Sequence, residues 1–302
     1  MTSQSCKIIS VGGISAGGKT TFVDALFERL SPHLRVGRLR LDNCYRDLVA
    51  EGYDDDSRRC LEINPEFNWD HPDIINWSKP IEWYDTVKQG RGFQVAQYCF
   101  STHSYQQSSA EVLEESIASN LEVMLCEGHL LLHNAYLRER SDHSYFVFTP
   151  SEVGVVRRFK RDLEQRGRSA DSIYNQLTKT VLPMQDKYIS PCAQLPDVEI
   201  VLWYNHIEGI KQLSTTIESS SVNGTGVCGY IRQRLEDGDE IVGVLQELFE
   251  VIHPQALQNQ EIENLVGHIE VIAQRIYFDI CGKNLPRATG PYKAIESLFC
   301  RQ

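Results

Sequence analysis

The segment from Gly13 to Thr21 limits the fold of this chain more than any other. It reads GISAGGKTT, which matches the pattern GxxxxGK[ST], and it follows the apolar run Ile8–Val11. Glycines lack the side chains that would keep backbone N–H groups away from phosphate oxygens. Apolar residues then recur at helical spacing from Phe22 to Leu30. This order of buried strand, glycine loop and helix predicts a nucleotide-phosphate site at a helix N-terminus.

Two side chains of this loop have different chemical roles. Lys19 offers a cation for the β- and γ-phosphates, and Thr20 offers a hydroxyl group for Mg²⁺. The loop therefore predicts a bound nucleotide triphosphate with Mg²⁺. The residues predicted to hold the nucleotide in the loop are Gly13, Ser15, Ala16, Gly17, Gly18, Lys19, Thr20 and Thr21.

Composition excludes several other classes of protein. The chain has 302 residues, and its net charge of −11 argues against a nucleic-acid binder that neutralises phosphates. It contains no run of 18 apolar residues, and its N-terminus leads directly into a strand, so we expect no membrane span, no secretory signal and a cytoplasmic location. The nine cysteines form no CxxC pair. Reduced thiols are therefore expected rather than disulfides or a zinc site.

Strand and helix patterns alternate along the first two thirds of the chain, which predicts an α/β fold with three layers and a parallel sheet. The predicted strands span 7–12, 36–41, 121–126, 144–149 and 198–203. The predicted helices span 18–30, about 72–89, 109–119, 151–166 and 169–187. Ligands are expected at the carboxyl ends of the strands.

Two regions depart from this alternation. Residues 94–105 predict a small β-hairpin beside the sheet. After about residue 205 the pattern changes, with a linker at 219–226 and amphipathic stripes over 241–252 and 262–276. We therefore expect a first domain at 1–205 and a C-terminal helical extension at 206–302. The two stripes predict a helical hairpin that packs on the core or on a second subunit.

Charged residues at strand ends and on one helix suggest phosphoryl transfer. Asp42 ends the second predicted strand, where a carboxylate could accept the proton of an alcohol. Glu127 ends the third predicted strand, where it could reach Mg²⁺. Six cations lie between residues 151 and 168 against three carboxylates, and in so acidic a chain they favour phosphate-facing arginines over a solvated helix face.

Five further motifs resemble, in order, those of the uridine-cytidine kinase family. They are LDNCYRDL at 41–48, NWDHP at 68–72, Tyr98 with THS at 102–104, CEG at 126–128 and RDLEQRGR at 161–168. The resemblance extends from about residue 7 to 203. It implies a P-loop nucleoside kinase that transfers the γ-phosphate of ATP to the 5′-hydroxyl of uridine or cytidine.

The resemblance also implies residue roles. Asp42 corresponds to the general base, with Lys19 and Arg161 as further catalytic residues, and Thr20, Asp42 and Glu127 lie near Mg²⁺. The arginines that resemble the phosphate lid, about 151–190, are Arg161, Arg166 and Arg168. The substrate-binding positions implied are Tyr45, Trp69, Asp70, Tyr98, His103, Arg158 and Gln176. For Asp70 the chemistry agrees, because a carboxylate that binds a cis-diol distinguishes ribose from deoxyribose.

Some residues depart from the family pattern. The family has Phe at the position of Trp69, Arg at that of Tyr105 and an aliphatic residue at that of His129. Two of these changes touch the base pocket, which leaves the identity of the nucleoside open. A nicotinamide riboside kinase is the alternative, since that family shares the P-loop fold, the strand-end Asp and an Asp after an aromatic residue. GTP is the alternative donor. A catalytically silent scaffold is the alternative from another class. The resemblance suggests a homo-oligomer, for which the C-terminal stripes are suited.

Overall fold

Five parallel strands form the central sheet of the computed structural model, which describes residues 5–54, 68–100, 102–105, 114–204, 207–219, 226–253, 258–288, 290 and 292–295. The strands of the described chain are β1 (Lys7–Gly13), β2 (Val36–Arg40), β3 (Phe93–Ala96), β4 (Glu114–Ile117), β5 (Val123–Glu127), β6 (His143–Phe148) and β7 (Glu199–Leu202). The sheet order is β2-β5-β1-β6-β7, and β3 and β4 form a separate antiparallel pair. Each predicted sheet strand is confirmed to within two residues.

Helices cover both faces of the sheet and continue into the C-terminal region. They are α1 (Lys19–Leu30), α2 (Ser78–Lys88), α3 (Ala135–Arg140), α4 (Ser151–Glu164), α5 (Ala170–Gln176), α6 (Leu182–Met184), α7 (Ile207–Ser219), α8 (Gly226–Glu236), α9 (Ile241–Ile252) and α10 (Gln258–Cys281). The 3-10 turns are Leu41–Cys44, Pro72–Ile74, Leu131–His133 and Ser190–Gln194. Wide π turns at Leu177–Val181 and Gln185–Ile189 interrupt the helix predicted at 169–187.

Successive residues of a strand are buried on opposite faces of the sheet, because their side chains alternate in direction. Ile8 of β1 packs in the cluster that contains Tyr84 of α2. Ile9 packs in the cluster that contains Leu26 of α1 and Ile269 of α10. The sheet is therefore the middle of three layers, and the predicted α/β class is confirmed. None of the helices within the described residues is both long enough and apolar enough to cross a bilayer.

The helix predicted at 109–119 is wrong where the structure describes it. Residues 114–117 form β4, which pairs with β3 from Phe93 opposite Ile117 to Ala96 opposite Glu114; residues 109–113 lie outside the described residues. Ile117 is buried in the core, so pairing and burial override the helical preference of this glutamate-rich stretch. The predicted antiparallel pair beside the sheet is present, but its second strand is β4 at Glu114–Ile117 and not a strand that ends by residue 105.

The C-terminal helices pack on two different parts of the core. The buried face of α9 joins the cluster of α4, through Leu248 and Phe159. The buried face of α10 joins the cluster of α1. The predicted packing of both stripes on the core is confirmed, but the predicted hairpin is wrong, because each stripe is buried against a different part of the core rather than against the other. Most of the predicted linker, residues 220–225, lies outside the described residues.

Candidate active site

A cavity of about 1130 Å³ opens at the carboxyl ends of the sheet strands. This volume exceeds the roughly 300–1,000 Å³ that is usual for one small-molecule site. The predicted site residues that line it are Ser15, Ala16, Gly18, Lys19, Thr20, Thr21, Asp42, Tyr45, Trp69, Asp70, His103, Glu127, Arg158, Arg161, Arg166, Arg168 and Gln176. Gly13, Gly17 and Tyr98 are not among its lining residues. The cavity has space for two ligands side by side.

The phosphate loop (Gly13–Thr21) depends on backbone shapes that favour glycine. Gly13 has φ 144° and Gly18 has φ 94°. A Cβ atom on Gly18 would lie 2.2 Å from Nε1 of Trp203, the residue after β7, and one on Gly13 would lie 2.6 Å from the Val147 carbonyl oxygen. The loop is thus packed against the ends of β6 and β7, with its N–H groups at the N-terminus of α1.

Lys19 is held within the loop. Its Nζ donates a hydrogen bond to the carbonyl oxygen of Ile14 at 2.7 Å. Burial lowers the pKa of Lys19 to about 8, although the carboxylates of Glu127 and Asp42 oppose this shift. The site therefore has a buried cation that its own carboxylates only partly compensate, and an anionic ligand would supply the missing charge.

Glu127 lies next to the loop because β5 pairs with β1 and β2 in register. Arg40 and Val11 are opposite Glu127 on these strands. Thr20 Oγ1 donates to Glu127 Oε2 at 2.9 Å, and Arg40 Nε lies 3.6 Å from Oε1. Burial raises the pKa of Glu127 to about 7 against the opposing effect of Lys19. A divalent cation beside this carboxylate would favour its ionised form.

Asp42 lies in the 3-10 turn Leu41–Cys44, directly after β2. A Cβ atom on Gly128 would be only 2.4 Å from the Leu41 Cβ, so the chain segments after β2 and β5 approach closely here. The Asp42 carboxylate raises the pKa of Lys19 and that of His129. It therefore lies within electrostatic reach of both groups.

Four arginines gather around one buried carboxylate, that of Asp162. Its oxygens lie 3.4 Å from Arg158 Nε, 2.8 Å from Arg161 Nη2, 3.4 Å from Arg166 Nη1 and 3.8 Å from Arg168 Nη1. Asp162 is fully buried, yet these cations hold its pKa below the usual value. Arg158 also donates to Ser15 Oγ at 2.7 Å, which connects this cluster to the phosphate loop. We call the phosphate loop and the arginine cluster the loop end of the cavity.

The opposite end of the cavity is aromatic. The rings of Trp69 and His103 stack with centroids 4.2 Å apart. Tyr45 packs on Tyr98, which lies behind it, at 5.4 Å. Asp70 is buried, and its Oδ2 accepts a hydrogen bond from Thr180 Oγ1 at 2.9 Å. These groups form the aromatic end.

His129 lines the cavity close to both Asp42 and the aromatic end. Its ring lies 6.5 Å from that of Tyr45. Burial lowers the pKa of His129, so the imidazole is neutral near pH 7, and its Nε2 is buried without a hydrogen-bond partner among the described residues. A ligand hydroxyl or amide group could pair with this nitrogen.

Sequence reasoning missed several of these contacts. In the sequence, Asp162 is only one of the three carboxylates in the basic stretch 151–168, although its i,i+4 spacing from Arg158 indicates an ion pair. No local pattern connects Thr180 to Asp70, which is 110 residues away. Arg157 and Lys160, two of the six cations of the basic stretch, also line the cavity. The lining from the C-terminal region was not foreseen: Phe249, His253 and Ala294.

The parallel sheet, the GK[ST] loop at a helix N-terminus and the arginine cluster that faces it define a P-loop kinase. The chain belongs to the Phosphoribulokinase / Uridine kinase family, whose model matches residues 8–204. It is accordingly a phosphotransferase whose acceptor is a hydroxyl group.

Curated relatives agree with this membership, and a solved structure shows a similar fold. A uridine kinase of Pectobacterium atrosepticum is 33% identical over 203 residues, which is 66% of this chain and 89% of the relative. Uridine-cytidine kinase B of Dictyostelium discoideum is 34% identical over 213 residues, 70% of this chain and 81% of the relative. A crystal structure from Silicibacter sp. TM1040 superposes with a TM-score of 0.50 at 16% identity, and the match covers 66% of this chain and 90% of that one.

Proposed function

We propose that this protein transfers the γ-phosphate of ATP to the 5′-hydroxyl group of a pyrimidine ribonucleoside, uridine or cytidine. The observation that carries the proposal is the position of Asp42 in one cavity between a phosphate-binding loop end and an aromatic end with a buried carboxylate. The names of the relatives, uridine kinase and uridine-cytidine kinase, support the choice of acceptor.

At the loop end, the backbone of the phosphate loop and Lys19 bind the phosphates of the donor. Thr20, Glu127 and Asp42 are the oxygen ligands available for Mg²⁺, which takes its other ligands from phosphates and water. When bound, the ion neutralises charge on the transferred group. Arg161, Arg166 and Arg168 leave Asp162 in part to contact the phosphates, and this closure excludes water from the reaction.

Asp42 acts on the acceptor as general base. Its carboxylate accepts the proton of the 5′-hydroxyl group as that oxygen attacks the γ-phosphorus atom, and ADP leaves. Lys19 and Arg161 stabilise the charge that develops on the phosphoryl oxygens.

At the aromatic end, Asp70 accepts hydrogen bonds from the ribose hydroxyl groups, while Thr180 donates one hydrogen bond to Asp70 Oδ2 and so orients the carboxylate. Trp69, Tyr45 and His103 enclose the base. Arg158 and Gln176 bond to each other at 3.1 Å and close the ribose side. His129 offers its unpaired nitrogen to the nucleoside.

We place this reaction in nucleoside salvage in the cytoplasm. The described cysteines form no disulfide with one another, which suits a reducing compartment.

The test is an ADP-release assay with purified protein and Mg²⁺. Uridine, cytidine and nicotinamide riboside are compared as acceptors, and ATP and GTP as donors. We expect turnover that depends on uridine or cytidine and on ATP. Preference for nicotinamide riboside would replace the pyrimidine assignment, and the absence of acceptor-dependent turnover would indicate a silent scaffold.

A further inference from the structure

Part of the cavity has lining residues that the reaction described above does not use. Four of these residues are Lys160 of α4, Phe249 of α9, His253, which directly follows α9, and Ala294. We call these four residues the far wall. Three of them lie beyond residue 204, where the match to the family model ends.

The far wall is attached firmly to the rest of the molecule. On one side, Tyr204 donates its hydroxyl hydrogen to the Ile252 carbonyl oxygen at 2.7 Å, and its ring contacts that of His253 at 5.6 Å. Tyr204 follows Trp203, which packs against Gly18 of the phosphate loop. The C-terminal helix α9 is thus anchored at the strand end that also supports the loop.

On the other side, α1 holds the C-terminal residues. The backbone N–H of Ala294 donates to Glu28 Oε2 at 3.3 Å. Arg29 Nε lies 2.9 Å from Glu270 Oε1, and the Tyr292 hydroxyl group bonds to the same carboxylate. Because α1 begins in the phosphate loop, this network fixes the far wall relative to the site of the phosphates.

The chemistry of the far wall suits an aromatic ring that carries an anionic chain. Phe249 is half-buried, with the Lys160 Nζ 4.4 Å above its ring and the His253 ring at 4.9 Å. Arg157 donates to His253 Nε2 at 3.1 Å, and His253 Nδ1 lies 3.1 Å from Glu261 Oε2. These bonds fix the ring of His253 as a neutral imidazole with its hydrogen on Nδ1. An aromatic face and two cations therefore lie together on α4 and α9, whose buried residues belong to a different core cluster from those of the aromatic end.

We propose that the C-terminal extension forms the subsite for the base of the donor nucleoside triphosphate, with Phe249 as the stacking residue. The inference rests on the proposed function to the extent that the donor's phosphates occupy the loop. The nucleoside acceptor fills the aromatic end, and the base of the donor extends from the phosphates toward α9. The extension is then part of the nucleotide site rather than packing alone.

The test compares two probes by calorimetry, Mg·ATP and Mg·tripolyphosphate, which carries the phosphates without a base. Phe249→Ala should weaken the binding of ATP on the order of tenfold, because stacking of a base on an aromatic side chain contributes that much. It should change the binding of tripolyphosphate less than twofold. Phe278→Ala is the matched control, since Phe278 is an exposed phenylalanine of α10 that does not line the cavity; it should change neither affinity.

Phe249→Leu keeps the apolar volume without the ring and replaces Phe249→Ala if that variant does not fold. Equal effects on both probes, or no effect on ATP, would overturn the inference and leave the proposed function intact. Selective weakening of ATP in a protein that phosphorylates no nucleoside would refute the proposed function alone. A wild-type protein that does not bind ATP would refute both.

Discussion

The two ends of the cavity reach their geometry by different means. At the loop end, backbone conformation places the phosphate loop and Glu127, through two glycines with positive φ, the start of α1 and the register of β5 beside β2. At the aromatic end, side chains position one another, as in the stack of Trp69 on His103, and they come from segments that are far apart in sequence. The comparison teaches that a short motif can specify the phosphate chemistry, whereas recognition of the acceptor depends on tertiary packing.

Asp42→Asn should have the largest effect, because Asp42 serves both ends. Without a carboxylate to accept the hydroxyl proton, turnover should fall about a hundredfold or more. The binding of ATP, measured by calorimetry, should remain nearly unchanged. Asp73→Asn, at a side chain that is 87% exposed, is the control and should retain full turnover. Unchanged turnover of Asp42→Asn would remove Asp42 from the role of base.

Asp70→Asn tests the aromatic end separately. We expect kcat/KM for uridine to fall by roughly tens-fold, with a much smaller loss for 2′-deoxyuridine, because the deoxy sugar lacks one of the two hydroxyl groups. The KM for ATP should not change. Thr180→Val removes only the hydrogen bond to Asp70 Oδ2 and should give a weaker version of the same pattern. Equal losses for both sugars would contradict this assignment.

Asp162→Asn tests the loop end separately. The variant keeps the shape of the side chain but leaves four guanidinium groups without their shared anion, so the free energy of unfolding should fall by about 3 kcal/mol. Mg·ATP supplies negative charge to the same arginines, so it should raise the Tm of the variant more than that of the wild type. Thermal melts with and without Mg·ATP measure both effects.

The control for Asp162→Asn is Glu152→Gln, at an exposed carboxylate in the first turn of the same helix. Its loss should stay below about 1 kcal/mol. An Asp162→Asn variant as stable as this control would show that the arginines do not need the buried carboxylate.

The smallest expected effect is the uptake or release of protons when ATP binds, which should amount to a fraction of a proton per ATP bound. The pKa of Lys19 is lowered to about 8, so near pH 8 the phosphates should raise it and binding should take up protons. The pKa of Glu127 is raised to about 7, so near pH 7 a bound Mg²⁺ should lower it and binding should release protons. Calorimetry in two buffers with different ionisation enthalpies measures both.

Two variants separate these contributions. Lys19→Arg should abolish the uptake, and Glu127→Gln should abolish the release. Uptake that persists in the arginine variant would exclude Lys19 as its source.

Much of the loop end could be predicted from the sequence, because the strand, the glycines and Lys19 are adjacent in the chain. The sheet strands were also predictable, since buried parallel strands are apolar nearly throughout. The strand β4 was not, because its pairing with β3 overrides its local preference. The roles of Thr180 and Phe249 depend on contacts between distant segments, which no local sequence pattern indicates. Asp162, by contrast, has all its arginine partners within six residues. The domain division at about residue 205 stays a prediction.

The close packing of Trp203 on Gly18 has a practical consequence for spectroscopy. It places a buried indole beside the phosphate loop, while the indole of Trp69 lies at the other end of the cavity against His103. Tryptophan emission depends on the immediate surroundings of the ring, so two of the four tryptophans each lie beside the site of one substrate. With Trp203→Phe and Trp69→Phe variants, the arrival of nucleotide and of nucleoside can be timed separately in the unlabelled protein.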